Sequence, residues 1–211
     1  MESPNEKKIA GIILAAGGSK RMGQPKLLLE WHGAPLIRWV ARTALAAGCS
    51  PLIVVTGANA AAVTHSLAGL PVVLAHNAEW EQGQSTSVRT GVNALPPEID
   101  AAIILLADQP QIPASAVQEL MRAFREDDPP APILITTCSG RRGNPVLFDR
   151  ALFQPLVMLE GDAGARSIFA QYPVHLIPFD DPNLLLDVDS PEDYQWLMKK
   201  SPPILPSEES T

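Results

Sequence analysis

The residues best suited to chemistry form a glycine-rich loop directly after the first apolar run of the chain. The loop reads Leu14-Ala15-Ala16-Gly17-Gly18-Ser19-Lys20-Arg21-Met22-Gly23-Gln24-Pro25-Lys26. Its three glycines let backbone N–H groups approach an anion without interference from a Cβ atom, and Arg21 and Lys26 supply positive charge. This combination suits a triphosphate cradle. It would also fit a flexible loop with two solvated cations, so the loop alone leaves both interpretations open.

The loop differs from two common phosphate-binding motifs. Gly18 and Gly23 have the spacing of a Walker A loop, but Gln24 follows where Lys-Ser/Thr would be required. The dinucleotide-binding pattern Gly-x-Gly-x-x-Gly is not matched either. ATPase and dehydrogenase functions are therefore disfavoured.

Three aspartates are candidate metal ligands. Asp108 follows the apolar run 101–107, at the expected carboxyl end of a strand, with Pro110 behind it. A divalent metal ligand should project from this position, although an isolated Asp-x-Pro also suits an aspartate that caps its own turn. Asp187 and Asp189 would point to opposite faces of an extended segment, so only one of them can face a given site.

These loops must be positioned by the elements around them. Short runs rich in Ile, Val and Leu predict buried strands at residues 9–14, 51–56, 71–75, 101–106 and 132–137. Segments of helical character lie between them, at residues 35–48, 59–68, 84–95 and 115–125. This alternation is typical of βαβ units with right-handed crossovers, and it predicts an α/β fold with a mostly parallel sheet covered on both faces.

The last third of the chain predicts further elements. We expect strands at residues 174–178 and 184–188, and then a short helix that begins at Ser190, with Pro191 at its first position. Ligands of open α/β sheets bind outside the carboxyl ends of the strands. The loops that begin at Ala15, Thr56, Asn77 and Ala107 are therefore where chemistry is expected.

Composition and charge limit the possible partners. The 211 residues are 46% apolar and 18% charged with a net charge of −7, which favours a folded protein and disfavours nucleic acid as a partner. Two distant cysteines predict buried thiols rather than a metal site. No apolar run is long enough for a bilayer and no signal peptide is evident, so we expect no membrane partner and a cytoplasmic location. We predict a flexible N-terminus at residues 1–8, one domain at 9–200 and a disordered tail at 201–211.

The glycine loop closely resembles the signature of MobA-like NTP transferases, L-A-A-G-x-S-x-R-M-G-x-x-K, and specifically the molybdenum cofactor cytidylyltransferase branch. Further segments resemble family motifs in the same order: residues 83–87, 108–110, 142–145, 161–166 and 187–193. The resemblance runs from about residue 9 to residue 197. One departure is Asn144, which stands where family members often carry His in a Gly-His-Pro turn.

The resemblance implies a single Rossmann-like three-layer domain of the nucleotide-diphospho-sugar transferase type. It also implies roles for individual residues. Arg21, Lys26 and Asp108 would be catalytic, and Asp108 and Asp189 would bind Mg²⁺, with Asp187 as our second choice for the second ligand. The nucleotide would contact Leu14, Ala15, Ala16, Gly17, Gly18, Ser19, Arg21, Lys26, Gly83 and Ser85. The acceptor would contact Ser87, Gln109, Pro110, Asn144, Pro145, Gly161 and Arg166.

By the same resemblance, the reaction would transfer CMP from CTP to the phosphate of molybdopterin, with a client molybdoenzyme as a further partner. CTP is preferred because a Cβ at Ala16, where guanylyltransferase relatives carry Gly, should narrow the slot for the base. Two alternatives stay open: another small phosphorylated acceptor such as a sugar phosphate, and a non-catalytic carrier of the dinucleotide cofactor.

Overall fold

The computed structural model describes residues 7–19, 22–126 and 131–205. Arg21, which we predict to be catalytic and to bind the nucleotide, lies outside these residues. So do residues 1–6 of the predicted flexible N-terminus and residues 206–211 of the predicted tail. The predictions for these segments therefore stay predictions.

The described residues form nine strands, seven of which make one central sheet. In chain order they are β1 (Ile9–Ala15), β2 (Glu30–Trp31), β3 (Ala34–Pro35), β4 (Leu52–Thr56), β5 (Val73–His76), β6 (Ala101–Leu106), β7 (Ile133–Cys138), β8 (Arg141–Asp149) and β9 (Val174–Pro178). The sheet order is β5-β4-β1-β6-β8-β7-β9, and β2 and β3 form a separate hairpin. Strand β8 is antiparallel to β6 and β7, while the other neighbours in the large sheet are parallel. The predicted mostly parallel α/β fold is confirmed.

Helices cover both faces of the sheet. They are α1 (Leu36–Ala46), α2 (Ala60–Ser66), α3 (Gln84–Asn93), α4 (Ala114–Glu126), α5 (Phe153–Val157) and α6 (Pro191–Leu197). Apolar side chains of α1, α2 and α4 pack in one buried cluster with one face of the sheet. Those of α3 and α5 pack on the opposite face. No helix in the described part of the chain is both long and apolar enough to cross a membrane.

Two glycines explain where α1 ends and how closely α3 packs on the sheet. Helix α1 ends as expected, because Gly48 adopts a φ of 95° and its N–H donates to the carbonyl of Leu45 at 2.9 Å. In α3, a Cβ added to Gly91 would lie 2.5 Å from Cγ2 of Ile12. A glycine at this position therefore lets α3 approach the central strand β1 closely.

Two predicted strands differ from the structure. Strand β5 forms near residues 71–75 but is not buried, because it is an edge strand in which Val73 is 49% exposed. The predicted strand 184–188 is wrong. Asp181 accepts a hydrogen bond from the N–H of Asn183, and Pro182 opens a 3-10 turn over Pro182–Leu185. The segment that follows pairs with no strand among the described residues.

Strand β8 was not predicted, because Gly143, Asn144 and Pro145 are turn-forming residues and resembled a turn motif. In the structure they are buried within the strand. A register shift between β7 and β8 accommodates the proline, which has no N–H for the ladder, and Oγ1 of Thr136 donates to the carbonyl of Pro145 at 3.2 Å. The resemblance to a Gly-His-Pro turn therefore indicated the position of these residues but not their conformation.

A small separate core joins the hairpin β2–β3 to the end of the domain. Trp31 is fully buried, and its Nε1 donates to the carbonyl of Leu197 in α6 at 3.0 Å. Val188 and Leu197 belong to this cluster, and Leu205 packs against it. Leu205 thus makes a contact that was not expected for the predicted tail. The two cysteines, Cys49 and Cys138, are free and buried, as predicted.

Candidate active site

A cleft of about 450 Å³ lies at the carboxyl ends of β1 and β6. This volume is within the range of small-molecule sites. Residues of the glycine loop, of the segment before α3, of the end of β6 and of two later loops line it. They are Leu14, Ala16, Gly17, Gly18, Ser19, Met22, Lys26, Leu27, Trp80, Glu81, Gly83, Gln84, Ser87, Leu106, Ala107, Asp108, Asp162 and Asp189.

The glycine loop is held by short-range contacts on both sides. Ala16 accepts a hydrogen bond from the N–H of Ala58 at 3.1 Å, and a Cβ on Gly57 would lie 2.6 Å from the same carbonyl oxygen. Ser19 has a φ of 53°, and its Oγ accepts a hydrogen bond from the N–H of Lys26 at 3.1 Å. Ser19 therefore closes the loop and fixes the start of the turn that carries Lys26.

Lys26 joins the two predicted metal ligands. Its Nζ donates to Oδ2 of Asp108 and to Oδ1 of Asp189, each at 2.7 Å. Burial alone would lower the pKa of Lys26, but the two carboxylates outweigh it and raise the pKa above its ordinary value. The lysine is therefore protonated at neutral pH. An ammonium has three N–H donors, so one remains for a further oxygen.

Asp187 lies in the same group of charges but has a different partner. Nε2 of Gln109 donates to Oδ1 of Asp187 at 2.6 Å. Asp187 keeps part of its surface in solvent, yet the partial burial of its carboxylate and the nearby charge of Asp108 raise its pKa, against the lowering effect of Gln109. As expected from the extended-segment argument, only one of Asp187 and Asp189 shares the cation of Asp108, although the segment that carries them is not a strand. Asp189, not Asp187, shares a cation with Asp108.

The loop around Gly161 is attached to the start of α3. The N–H and the Oγ of Ser85 both donate to the carbonyl of Gly161, at 3.2 and 2.6 Å. Gly83 has a φ of 117°, and a Cβ there would overlap that carbonyl. These contacts bring Asp162 to the wall of the cleft.

Asn77 fixes the same helix to the end of β5. It is 2% exposed, and its Nδ2 donates to Oγ1 of Thr86 at 2.8 Å and to Oγ of Ser87 at 3.0 Å. Its Oδ1 accepts a hydrogen bond from the N–H of Glu79. One buried amide therefore orients both the turn before α3 and the first turn of the helix.

Comparison with known proteins identifies the family. The sequence profile of the MobA-like NTP transferase domain matches residues 11–176. This chain belongs to the MobA-like NTP transferase family. The nicotine blue oxidoreductase of Paenarthrobacter nicotinovorans is 34% identical over 202 residues, which cover 90% of this chain and 96% of that protein. The molybdenum cofactor cytidylyltransferase of Escherichia coli K12 is 26% identical over 184 residues, which cover 87% and 92%.

Solved structures agree with this assignment. Rv0371c of Mycobacterium tuberculosis H37Rv has a TM-score of 0.80 and 28% identity, over 92% of this chain and 100% of that one. The same protein in complex with manganese has a TM-score of 0.77 and 27% identity, with the same coverage. The predicted family and the predicted fold type of this MobA-like transferase are both confirmed.

The cleft of this MobA-like transferase brings together ten of the predicted site residues: Leu14, Ala16, Gly17, Gly18, Ser19, Lys26, Gly83, Ser87, Asp108 and Asp189. Other predicted residues do not line it. Ala15 is buried in β1, Ser85 binds Gly161, and Gln109 binds Asp187. Pro110, Asn144 and Pro145 are also buried, whereas Gly161 and Arg166 are exposed and do not line the cleft.

Sequence reasoning missed two polar or aromatic cleft residues of this MobA-like transferase, Trp80 and Glu81. Both lie on the 3-10 turn Trp80–Gln82, between the end of β5 and Gly83. The loop that begins at Asn77 was expected to carry chemistry, because it follows a strand of the parallel sheet. The position of this loop at the carboxyl end of a strand could therefore have indicated both residues.

Proposed function

We propose that this chain transfers CMP from CTP to the phosphate of molybdopterin and releases pyrophosphate, with Mg²⁺ as its cofactor. The observation that carries the proposal is the position of Lys26, whose ammonium lies 2.7 Å from carboxylate oxygens of both Asp108 and Asp189 beside a glycine loop. A phosphate-sized anion in this cleft would meet one remaining N–H of Lys26 and the backbone of Gly17 and Gly18.

The donor set fits a magnesium ion. Oδ1 of Asp108 is buried and has no hydrogen-bond partner among the described residues, which is costly for a carboxylate oxygen unless a cation or a ligand uses it. The described residues contain no group of three or more His, Cys, Asp and Glu that could hold a metal. Mg²⁺ needs no such group, since it is usually bound by one or two carboxylates with waters and substrate phosphates. The manganese complex of Rv0371c supports a divalent cation in this fold.

Asp108 and Asp189 would hold the ion, which would neutralise charge on the triphosphate when bound. The chain itself would position the reactants for in-line displacement, in which an acceptor phosphate oxygen attacks the α-phosphorus and pyrophosphate departs. A phosphate monoester is already ionised near neutral pH, so no general base is required. Lys26 would stabilise the charge that develops on the pyrophosphate, and Ser19 would hold Lys26 in place.

Two buried amides support a polar acceptor. Oε1 of Gln109 and Nδ2 of Asn144 are buried without a partner among the described residues, and they offer one acceptor and one donor. Arg166 is exposed and contributes to the charge around Asp187. Arg166 is our candidate for binding the phosphate of an acceptor such as molybdopterin, whereas the two amides do not line the cleft and would reach the acceptor only after a side-chain movement.

The proposed choice of CTP rests on the family branch that the alanine at position 16 resembles. Ala16 lines the cleft and is 4% exposed, so its methyl group offers little surface to a base. The E. coli relative, which is named a cytidylyltransferase, supports this choice of donor.

The test is pyrophosphate release from each of the four nucleoside triphosphates at equal concentration, with Mg²⁺ and molybdopterin. We expect release with CTP, loss of it without Mg²⁺, and near abolition in Asp108→Asn and in Asp189→Asn. The double variant should be scarcely worse than either single variant, because two ligands of one ion act as a unit.

Three outcomes would change the proposal. Equal or better turnover with GTP would overturn the choice of CTP. Release with a sugar phosphate and not with molybdopterin would overturn the choice of acceptor. Tight binding of a dinucleotide cofactor without pyrophosphate release from any triphosphate would indicate a non-catalytic carrier.

A further inference from the structure

Trp80 forms one wall of the cleft and lies against the glycine loop. A Cβ added to Gly18 would lie 3.1 and 3.2 Å from two ring carbons of the Trp80 indole. Trp80 is half-buried, it packs on the core beneath α3, and it lines the cleft. The chain has four tryptophans, at positions 31, 39, 80 and 196, and Trp80 is the member of this set that lines the cleft.

The position of Trp80 is fixed by the backbone on both sides. Its 3-10 turn follows Glu79, whose N–H donates to the buried side chain of Asn77 at 2.9 Å. After the turn, Gly83 is held against the carbonyl of Gly161 by the contacts of Ser85. An aromatic ring that is anchored in this way loses little conformational freedom when a ligand binds to it.

The two sides of the cleft differ in the charged side chains that line them. Asp108 follows β6, whereas Trp80 comes from the segment after the edge strand β5 and its ring meets the glycine loop after β1. Lys26 lies on the Asp108 side and is the one cation among the described lining residues. Glu81, which adjoins Trp80 in the chain, and Asp162, which lies next to Gly83, also line the cleft with their carboxylates. With the proposed Mg²⁺ bound, the ion and Lys26 together outweigh the charges of Asp108 and Asp189, so phosphates are favoured at the Lys26 side over the Trp80 side.

We propose that Trp80 is the stacking surface for the nucleobase of the donor nucleotide, with the base on a face of the indole ring and Gly18 against the ring's outer edge. The inference rests on the proposed function, because it takes a nucleoside triphosphate as the ligand. A base that stacks on Trp80 leaves its phosphates directed toward Lys26. Stacking is available to every base, so Trp80 supplies affinity for the base while hydrogen-bonding groups supply the choice among bases.

Intrinsic fluorescence tests the contact directly. Titration of the protein with CTP and Mg²⁺ should quench part of its tryptophan emission, and Trp80→Phe should abolish the quenching. Trp196→Phe is the matched control, because Trp196 is 38% exposed on α6 and does not line the cleft. Quenching should persist in this control. Quenching that persists in Trp80→Phe would overturn the inference.

Binding affinities measured by calorimetry distinguish the loss of base stacking from a general disturbance of the glycine loop. Trp80→Ala should weaken CTP binding about 10- to 100-fold, the usual effect of removing an aromatic platform. Its affinity for inorganic triphosphate, which has no base, should stay unchanged. Trp80→Phe should bind CTP within about fivefold of the wild type, because the ring face is retained. An equal loss for CTP and inorganic triphosphate, or no loss for CTP, would overturn the inference.

The same titrations distinguish this inference from the proposed function. If CTP binds with Trp80-dependent quenching but no pyrophosphate is released with molybdopterin, the inference stands and the proposed reaction fails. If molybdopterin quenches Trp80 and CTP does not, the ring serves the acceptor and the inference is wrong. If none of the four triphosphates binds to the wild-type protein, both fail.

Discussion

The backbone N–H of Val188 donates a hydrogen bond to the carbonyl of Asp108 at 2.9 Å. This bond places the segment that carries Asp187 and Asp189 next to the end of β6, although no strand pairing exists there among the described residues. Val188 is 1% exposed and belongs to the core that contains Trp31 and α6. The distance between the two carboxylates is therefore set by a hydrophobic contact on one side and by Lys26 on the other.

Replacing Lys26 should affect stability as well as turnover. Lys26→Met leaves the carboxylates of Asp108 and Asp189 close together without their shared cation. We expect a lower melting temperature in the absence of Mg²⁺, which added Mg²⁺ partly restores, because the ion can take the place of the ammonium. The rate of turnover should also fall, because the transition state loses about 2 to 4 kcal/mol of stabilisation. Thermal unfolding with and without Mg²⁺, and pyrophosphate release, measure the two effects.

Lys199→Met is the control for this change, because Lys199 is exposed on the surface beyond α6. It should leave the melting temperature and the rate unaltered in either buffer. A Lys26→Met protein with the wild-type rate would contradict the role of Lys26 in catalysis.

Gly83→Ala should disrupt the attachment between α3 and the loop at Gly161. The new Cβ would overlap the carbonyl of Gly161, and the residue would also be strained at a φ of 117°. Gly140→Ala is matched for strain, since Gly140 has a φ of 75°, but a Cβ there has no neighbour within 4 Å. Each variant should lose about 1 to 2 kcal/mol of unfolding free energy from strain, with a further loss in Gly83→Ala. Urea unfolding measures the loss of unfolding free energy in each variant. Equal losses would mean that the attachment contributes nothing to stability.

The capping box of α6 predicts a pH-dependent stability. Asp193 accepts a hydrogen bond from Oγ of Ser190, which lowers the pKa of its carboxyl below the ordinary value, and backbone N–H groups of Asp189 and Ser190 add to the effect. Because the folded-state pKa is the lower one, the stabilisation is present above the unfolded pKa and is lost as pH falls through the folded value. Asp193→Ala should therefore lose up to about 1 kcal/mol at neutral pH, because it removes one half of the capping box while solvent screens part of the interaction.

The difference between Asp193→Ala and the wild type should begin to shrink once pH falls below the unfolded-state pKa of about 4, and should be lost as pH falls through the lower folded-state pKa. Denaturant unfolding at a series of pH values measures it. Glu192→Ala is a neighbouring control that removes an exposed carboxylate from the same turn. A constant difference across this pH range would show that the charge of Asp193 does not contribute.

The chain after α6 should stabilise the domain through one side chain. Leu205 packs against the core around Trp31, whereas the preceding Ile204 is 95% exposed. Leu205→Ser should lower the unfolding free energy by up to about 1 kcal/mol, and Ile204→Ser should have no effect. On the basis of composition, deletion of residues 206–211 should also leave stability unchanged. A deletion of 201–211 that melts at the wild-type temperature would contradict the contribution of Leu205.

Much of this protein could be predicted from its sequence. The glycine loop between Leu14 and Lys26 is a local motif, and its backbone requirements are visible in the residue types themselves. Alternating apolar and helical segments were sufficient for the α/β fold, because hydrophobic periodicity reflects burial on one or both faces of an element. Gly48 and Ser190 marked a helix end and a helix start through their own conformations and side chains.

Only the tertiary structure decided how distant segments meet. Whether residues 141–149 form a strand depends on pairing with β6 and β7 and on a register shift that tolerates Pro145, and none of these is a local property. The shared cation of Asp108 and Asp189 joins residues 81 positions apart (189 − 108). Trp80 likewise meets Gly18 only because their strands end at the same edge of the sheet. Local preferences select the elements, but long-range packing selects the distances between their side chains, and it is these distances that make a site.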